Sequence, residues 1–228
     1  STPQQEWAGP VMERLGLKGH ETVLDAGCGS GNVTRVLLDA LPDGNVISVD
    51  GSPSMIEAAR ERVGEDRVEY HCQDLASLKL DRQVDYVFSN ATFHWIPDHE
   101  ALFASLHGVI RPGGGLVAQC GGRGNVAEIH EALRQICTEE PFSEYISGLA
   151  EPWNFAGPEE TEIRLAGAGF IEPECWLEER VAIPEDPRGF MRASFMAPQL
   201  EALPEPLHEQ YVDRFGEIAG NPDHFNYV

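Results

Sequence analysis

A formal charge of −22 on 228 residues, from 38 Asp and Glu against 16 Lys and Arg, argues against nucleic acid or an anionic membrane surface as a partner. With 42% hydrophobic and 8% aromatic residues the chain can build a full α/β core, which excludes a disordered protein, and no apolar run approaches the roughly 20 residues of a membrane span. Lysine is confined to Lys18 and Lys79, no basic cluster stands out, and the acidic excess reads as a solvated surface. Five cysteines (Cys28, Cys72, Cys120, Cys137 and Cys175) are widely spaced with no C-x-x-C pair, so neither a disulfide framework nor a zinc or other metal site is expected. The polar start from Ser1 to Leu17 has no apolar stretch of a secretory leader, and a reducing cytoplasm is the expected setting.

In chain order, Thr22 to Asp25 predicts a buried strand, Asn32 to Leu41 a helix, and Val46 to Asp50 a second strand. Pro53 to Val63 predicts a helix with proline in its first turn, Val68 to Cys72 a third strand, and Val84 to Ser89 a fourth. Asp98 to Ile110 reads as a helix stopped by Arg111-Pro112-Gly113-Gly114, and Leu116 to Cys120 as a fifth strand. Strands separated by helices at this spacing imply a doubly wound, mostly parallel sheet. Further on come helices over Val126 to Thr138 and Glu159 to Ala168, a sixth strand over Glu174 to Ile183, and helical pieces at Phe190–Met196 and Leu207–Ile218. Phe225 to Val228 opens a last strand. The whole, 1–228, is expected to be a single α/β domain with a core at about 20–121 and a helical insertion near the C-terminus.

The strongest signal is Val23-Leu24-Asp25-Ala26-Gly27-Cys28-Gly29-Ser30-Gly31, which leaves a buried strand and enters a helix. Glycines there let the backbone turn tightly and approach a ligand. Their spacing is G-x-G-x-G rather than the G-x-G-x-x-G that places a pyrophosphate on a helix N-terminus, which disfavours a nicotinamide oxidoreductase. Asp50 ends the second strand 19 positions after Gly31, where a carboxylate can accept hydrogen bonds from both hydroxyls of a ribose. A strand-end acid can equally cap the next helix.

Asp25 to Gly31 followed by Asp50 resembles the class I S-adenosylmethionine-dependent methyltransferases, a Rossmann-like fold with a seven-strand sheet, over most of 20–121 and more weakly beyond. The resemblance implies S-adenosyl-L-methionine as cofactor. Gly27, Cys28 and Gly29 would lie against its methionine and ribose portions, Asp25 near the methionine amino group, and Asp50 on the ribose. Gly51, Ser52 and Met55 would edge the adenine, Asp74 and Leu75 would meet its amine side, and Asn90 and Trp95 would complete the cofactor site.

Asn90-Ala-Thr-Phe-His-Trp-Ile-Pro-Asp-His-Glu100 follows the fourth strand, beyond the carboxyl ends of the sheet where ligands bind. Trp95-Ile-Pro-Asp-His-Glu-Ala-Leu102 resembles the trans-aconitate methyltransferase group of small-molecule methyltransferases, which tends to carry Gln where this chain has His94. O-methylation of a small carboxylate is the implied activity, and a carboxylate needs no base because its lone pair is already free. A hydroxyl, phenol, amine or carbon acceptor would call on His94 as general base. Trp7, Trp95 and Arg123 are the candidate substrate contacts, and residues 1–19 and 185–220 the candidate caps. Phe190, Met191, Phe195, Met196 and Tyr211 read as either pocket lining or core, while His99 and His107 are expected on a helix surface. The expected partner is a small methyl acceptor, with the protein a monomer or homodimer. Methylation of a macromolecule and a non-catalytic S-adenosylmethionine-binding regulator are the rival readings.

Overall fold

The computed structural model describes residues 9–149 and 153–228. Their contacts divide into two compact units, 9–122 with 153–176, and 123–149 with 177–228. The 185–220 segment, expected as an insertion in one domain, lies wholly in the second unit, and 123–149 joins it there.

In the first unit β1 (Thr22–Ala26), β2 (Asn45–Asp50), β3 (Val68–Cys72), β4 (Val84–Asn90) and β5 (Ile110–Gln119) form a sheet of order β3-β2-β1-β4-β5, every pair parallel. Parallel strands need crossovers, and α1 (Asn32–Ala40), α2 (Pro53–Val63) and α3 (His99–Val109) supply three of them. Successive strand residues point to opposite faces, so each strand serves two cores. Val23, Val46, Val68 and Phe88 pack with Leu37, Leu38, Ile56 and Ala59 of α1 and α2. Leu24, Ile47, Val49 and Val87 pack with Leu102, Phe103 and Leu106 of α3. Leu165 of α6 (Pro158–Ala168) closes that second face.

Strand order reverses between β1 and β4, which opens a crevice at their carboxyl ends. The glycine loop leaves β1 there, and the Asn90–Glu100 segment leaves β4 there. Gly31 caps α1 at φ 82°, and a Cβ on it would press within 2.8 Å of a Val63 methyl, so glycine brings α1 close against α2.

Among the described residues the sheet holds five strands, not the expected seven. The sixth and seventh are short and pair with each other instead, β6 (Arg180–Ala182) antiparallel to β7 (Phe225–Tyr227), in the second unit. Most of the expected Glu174–Ile183 strand forms no ladder: Glu174, Glu178 and Glu179 crowd like charges into a short stretch that Pro173 precedes. β5, by contrast, begins six residues earlier than expected. Ile110 already pairs with Val84, a register shift follows, and Gly113 takes φ 82° within it.

In the second unit α4 (Ala127–Ile136), α5 (Ser143–Ile146), α7 (Pro187–Phe195), α8 (Ala197–Ala202) and α9 (His208–Ile218) enclose their own core. Met191, Phe195, Met196 and Tyr211 are buried in it, and Tyr211 stands edge-on to Phe142 at 5.3 Å. Arg214 of α9 grips Glu139 with two hydrogen bonds of 2.7 and 2.8 Å. Among the described residues no helix is long and apolar enough to cross a membrane.

The Tyr211 hydroxyl is fully buried and, among the described residues, has no hydrogen-bond partner. A buried hydroxyl left this way costs about 1–3 kcal/mol, so Tyr211→Phe should raise the urea midpoint of unfolding. A lowered midpoint would show that the hydroxyl contributes a bond.

Candidate functional site

The loop after β1 is pinned to β2 on both sides. The amides of Gly27 and Cys28 donate to the Val49 carbonyl at 2.8 and 3.0 Å. Asp50, at the end of β2, accepts from the Gly29 amide through Oδ2 and from the Ser52 amide through Oδ1, both at 2.9 Å. One carboxylate therefore fixes the loop before α1 and the turn before α2. Each oxygen keeps further lone-pair capacity. Gly27 and Gly29 take φ 83° and 52°. A Cβ on Gly27 would collide with Thr92, whereas one on Gly29 would meet nothing within 4 Å, so the loop is open at Gly29. Thr92 Oγ1 donates to the Gly27 carbonyl at 3.2 Å, which seats the β4 segment directly on the glycine loop.

Asp25 lies beneath this loop, 1% exposed. The Thr34 hydroxyl donates to it at 2.6 Å from the first turn of α1. Burial pushes its carboxyl up to about 7, the Thr34 bond offsets part of that rise, and the nearby Asp50 charge adds to it. Cys28 is buried beside both acids, and burial with their charges drives its thiol far up, so it is an inert packing group.

Among the other expected cofactor residues, Gly51 and Met55 are exposed and Leu75 is buried. The Ser52 hydroxyl caps α2 by accepting from Met55. Asp74 is exposed and caps a short turn, accepting from the Ala76 amide at 2.9 Å. Asn90 ends β4 in register with Gln119 of β5.

His94 and Trp95 lie in a short 3-10 turn, Phe93–Trp95, that follows β4. His94 Nδ1 accepts the Gly121 amide at 3.1 Å. That bond fills the Nδ1 lone pair and leaves the ring proton on Nε2. Burial, with a smaller contribution from His99, brings the His94 pKa down to about 4, so the neutral Nε2–H form prevails at neutral pH. His99 is 4% exposed, contrary to the expected surface position: its Nε2 lies 2.9 Å from the Phe93 carbonyl and its ring packs on Phe103. It anchors the turn from below. His107 is exposed, as expected.

Trp153, Asn154 and Phe155 join the site without a signal in the sequence reading. The Asn154 amide donates to the His94 carbonyl at 2.7 Å and its side chain to the Pro97 carbonyl at 2.9 Å. These bonds lay two rings beside the turn: Trp153 is 5.7 Å from Trp95, Phe155 is 5.5 Å from His94, and Trp153 stacks on Phe155 with 8° between planes. A W-x-F triplet between prolines has no helical or strand period, so nothing in the sequence set it apart. Of the remaining substrate candidates, Trp7 lies outside the described residues, and Arg123 is exposed and belongs to the second unit.

A parallel sheet with a G-x-G-x-G loop, a strand-end acid on that loop and an aromatic turn beyond β4 defines a nucleoside-binding α/β protein. Comparison makes the class specific. A family model described as a methyltransferase domain matches residues 23–114. A trans-aconitate 2-methyltransferase of Azoarcus sp. is 30% identical over 211 residues, covering 89% of this chain and 79% of that protein. A trans-aconitate 2-methyltransferase of Methylobacterium radiotolerans is 34% identical over 144 residues, 63% of this chain and 54% of the relative. A malonyl-[acyl-carrier protein] O-methyltransferase of Acetivibrio thermocellus is 34% identical over 145 residues, 61% of this chain and 51% of the relative. The chain thus spans about half the length of these last two. The fold is shared with the Haloferax volcanii complex of a methyltransferase and the Trm112 methyltransferase activator (TM-score 0.59, 19% identity, 98% of this chain and 88% of that one). It is shared too with Haemonchus contortus phosphoethanolamine N-methyltransferase 2 in complex with S-adenosyl-L-methionine (TM-score 0.59, 22% identity, 98% and 52%). The chain belongs to the class I S-adenosylmethionine-dependent methyltransferase family.

Asp25 takes up a proton in the folded protein that it lacks in the unfolded chain between its ordinary value of 3.8 and about 7. Its contribution to stability therefore falls as pH rises through that window and levels off above it. Asp25→Asn keeps the acceptor for Thr34 without the buried charge. The variant should melt above the wild type at pH 8, by a margin that shrinks toward pH 4. A margin constant across pH would mean that Asp25 is not raised.

Proposed function

We propose that the protein transfers a methyl group from S-adenosylmethionine to a carboxylate oxygen of a small molecule. The observation that carries this reading is the state of His94: its Nδ1 is occupied by the Gly121 amide and its pKa lies near 4, so it offers a hydrogen-bond donor, not a base. Such a donor suits an acceptor that arrives already ionised, as a carboxylate does throughout neutral pH. The relatives' names support the same class, since trans-aconitate and malonyl groups both carry carboxylates.

The residues present fit the cofactor. Asp50, and Asp25 once a cationic ligand draws off its proton, set negative charge around the glycine loop, which favours the ammonium and sulfonium charges and a ribose diol and opposes a pyrophosphate. Gly29 leaves room for close approach. Asp50 would hold the ribose with the lone pairs left by Gly29 and Ser52, and Asp25 would face the amino end. Gly27, Cys28, Gly51, Ser52, Met55, Asp74, Leu75 and Asn90 would line the rest. Bound there, S-adenosylmethionine supplies an electrophilic methyl whose S–CH3 electron pair stays on sulfur as the O–CH3 bond forms, so no proton moves. The chain's part is to align the acceptor and exclude water. His94 Nε2–H would hold one carboxylate oxygen while the other attacks, and Trp95 would present a ring face beside the positive charge.

Three measurements test this. With cofactor saturating, the single-turnover rate on a carboxylate should be flat from pH 6 to 9, and His94→Gln, which keeps a donor, should retain turnover within about tenfold. A rate rising through the ordinary histidine range, with a loss beyond roughly 10²-fold in His94→Gln, would establish a general base and a hydroxyl-type acceptor. Asp50→Asn should weaken adenosylhomocysteine binding roughly ten- to a hundredfold by calorimetry, the scale of a lost charged hydrogen bond. An unchanged Kd would remove Asp50 from the cofactor site.

A further inference from the structure

The carboxylate reading leaves open what the rest of the acceptor looks like, and the rings around His94 bear on that. Trp95 is 50% exposed although it lies in a tightly hydrogen-bonded turn. Its neighbours are Trp153 at 5.7 Å and His94 at 5.4 Å, and Phe155 completes the panel. Both ends of the panel are fixed by hydrogen bonds: the Asn154 amide and side chain tie it to the His94 and Pro97 carbonyls, and the Thr92 hydroxyl ties the turn to Gly27. The panel is thus a built wall reaching from the glycine loop, with one large ring face open to solvent.

Charge narrows the occupant further. No Lys or Arg occurs in 27–32, 90–100 or 153–160, the three stretches that form the glycine loop, the turn and the panel. Arg164, one turn beyond Glu160, spends its guanidinium on the Glu160 carboxylate at 3.7 Å and on His99 Nδ1 at 3.5 Å. The Asp50 carboxylate already brings negative charge, and Asp25, raised to about 7, adds to it as it ionises. Against those three stretches one sulfonium balances one carboxylate, whereas a tricarboxylate would leave excess negative charge.

We propose that the panel of Trp95, Trp153 and Phe155 is an acyl subsite for a planar aromatic or conjugated acid with a single carboxylate, which His94 Nε2–H receives. This rests on the carboxylate reading and departs from a polycarboxylate acceptor. Flat rings gain from offset stacking on indole and phenyl faces, which a saturated ring of the same charge cannot match.

The test is binding to the full chain loaded with adenosylhomocysteine, by calorimetry and tryptophan fluorescence, using trans-cinnamate, cyclohexanecarboxylate and trans-aconitate. Cinnamate should bind at least tenfold more tightly than either of the others. Trp153→Ala should erase that preference and Trp153→Phe should keep it within about threefold. If Trp153→Ala fails to fold, Trp95→Ala, whose ring is half exposed, carries the same expectation. A preference for trans-aconitate, or one for cinnamate that survives loss of both rings, overturns the subsite. Labelled S-adenosylmethionine then separates the two readings. Cinnamate bound with the expected preference yet never esterified upholds the subsite and overturns carboxylate methylation. Trans-aconitate esterified in preference to cinnamate upholds carboxylate methylation and overturns the subsite.

Discussion

Two backbone amides, those of Gly29 and Ser52, converge on the carboxylate of Asp50, and the layout of the crevice follows from that convergence. The loop after β1 must reverse within a few residues to enter α1, and its amides would otherwise face the crevice unpaired. The Val49 carbonyl takes two of them and Asp50 takes a third. With the loop immobilised from the β2 side, Thr92 can bond to the Gly27 carbonyl from the β4 side, and the turn bearing His94 and Trp95 is set against a rigid floor. Positioning depends on rigid supports, and here they are sheet backbone and two short side chains, Asp50 and Thr92, each hydrogen-bonded to the glycine loop.

The same acids create an electrostatic asymmetry. Asp25, buried with its proton affinity raised to about neutrality, and Asp50 beside it make the crevice receptive to positive charge. A buried acid of this kind weakens the fold where it ionises, and such a cost is typical of sites shaped for a ligand rather than for stability. The overall charge of −22 acts in the same direction at long range.

The parallel sheet and the glycine loop were legible because they depend on local sequence. Buried strands read as apolar runs, and the spacing of Gly27, Gly29 and Gly31 reports backbone conformations that the structure shows at φ 83°, 52° and 82°. Asp50 was legible by its distance from that loop. The edge of the sheet was not: a strand's pairing partner is a long-range choice, and Glu174–Ile183 has strand-forming residues without a neighbour in the five-strand sheet. His99 was misplaced because helix periodicity places it on a polar-looking face, while α6 packs there and buries it. Trp153 and Phe155 were missed for a similar reason, since nearly sixty residues separate them from the turn they flank.

The ring of His94 shows why the residue type by itself did not settle a role. A histidine near an acceptor site invites a base, because its ordinary pKa lies near neutrality. Two features of the fold remove that property: β5 delivers the Gly121 amide to Nδ1, and the packed turn withdraws the ring from water. What remains is a neutral donor of fixed direction, functionally close to the amide of a glutamine. On the proposed reading, a chain with His at this position and one with Gln would serve the same ionised acceptor. The difference between them would then move to the surrounding surface, where an aromatic wall or a set of cations would decide which acid is held.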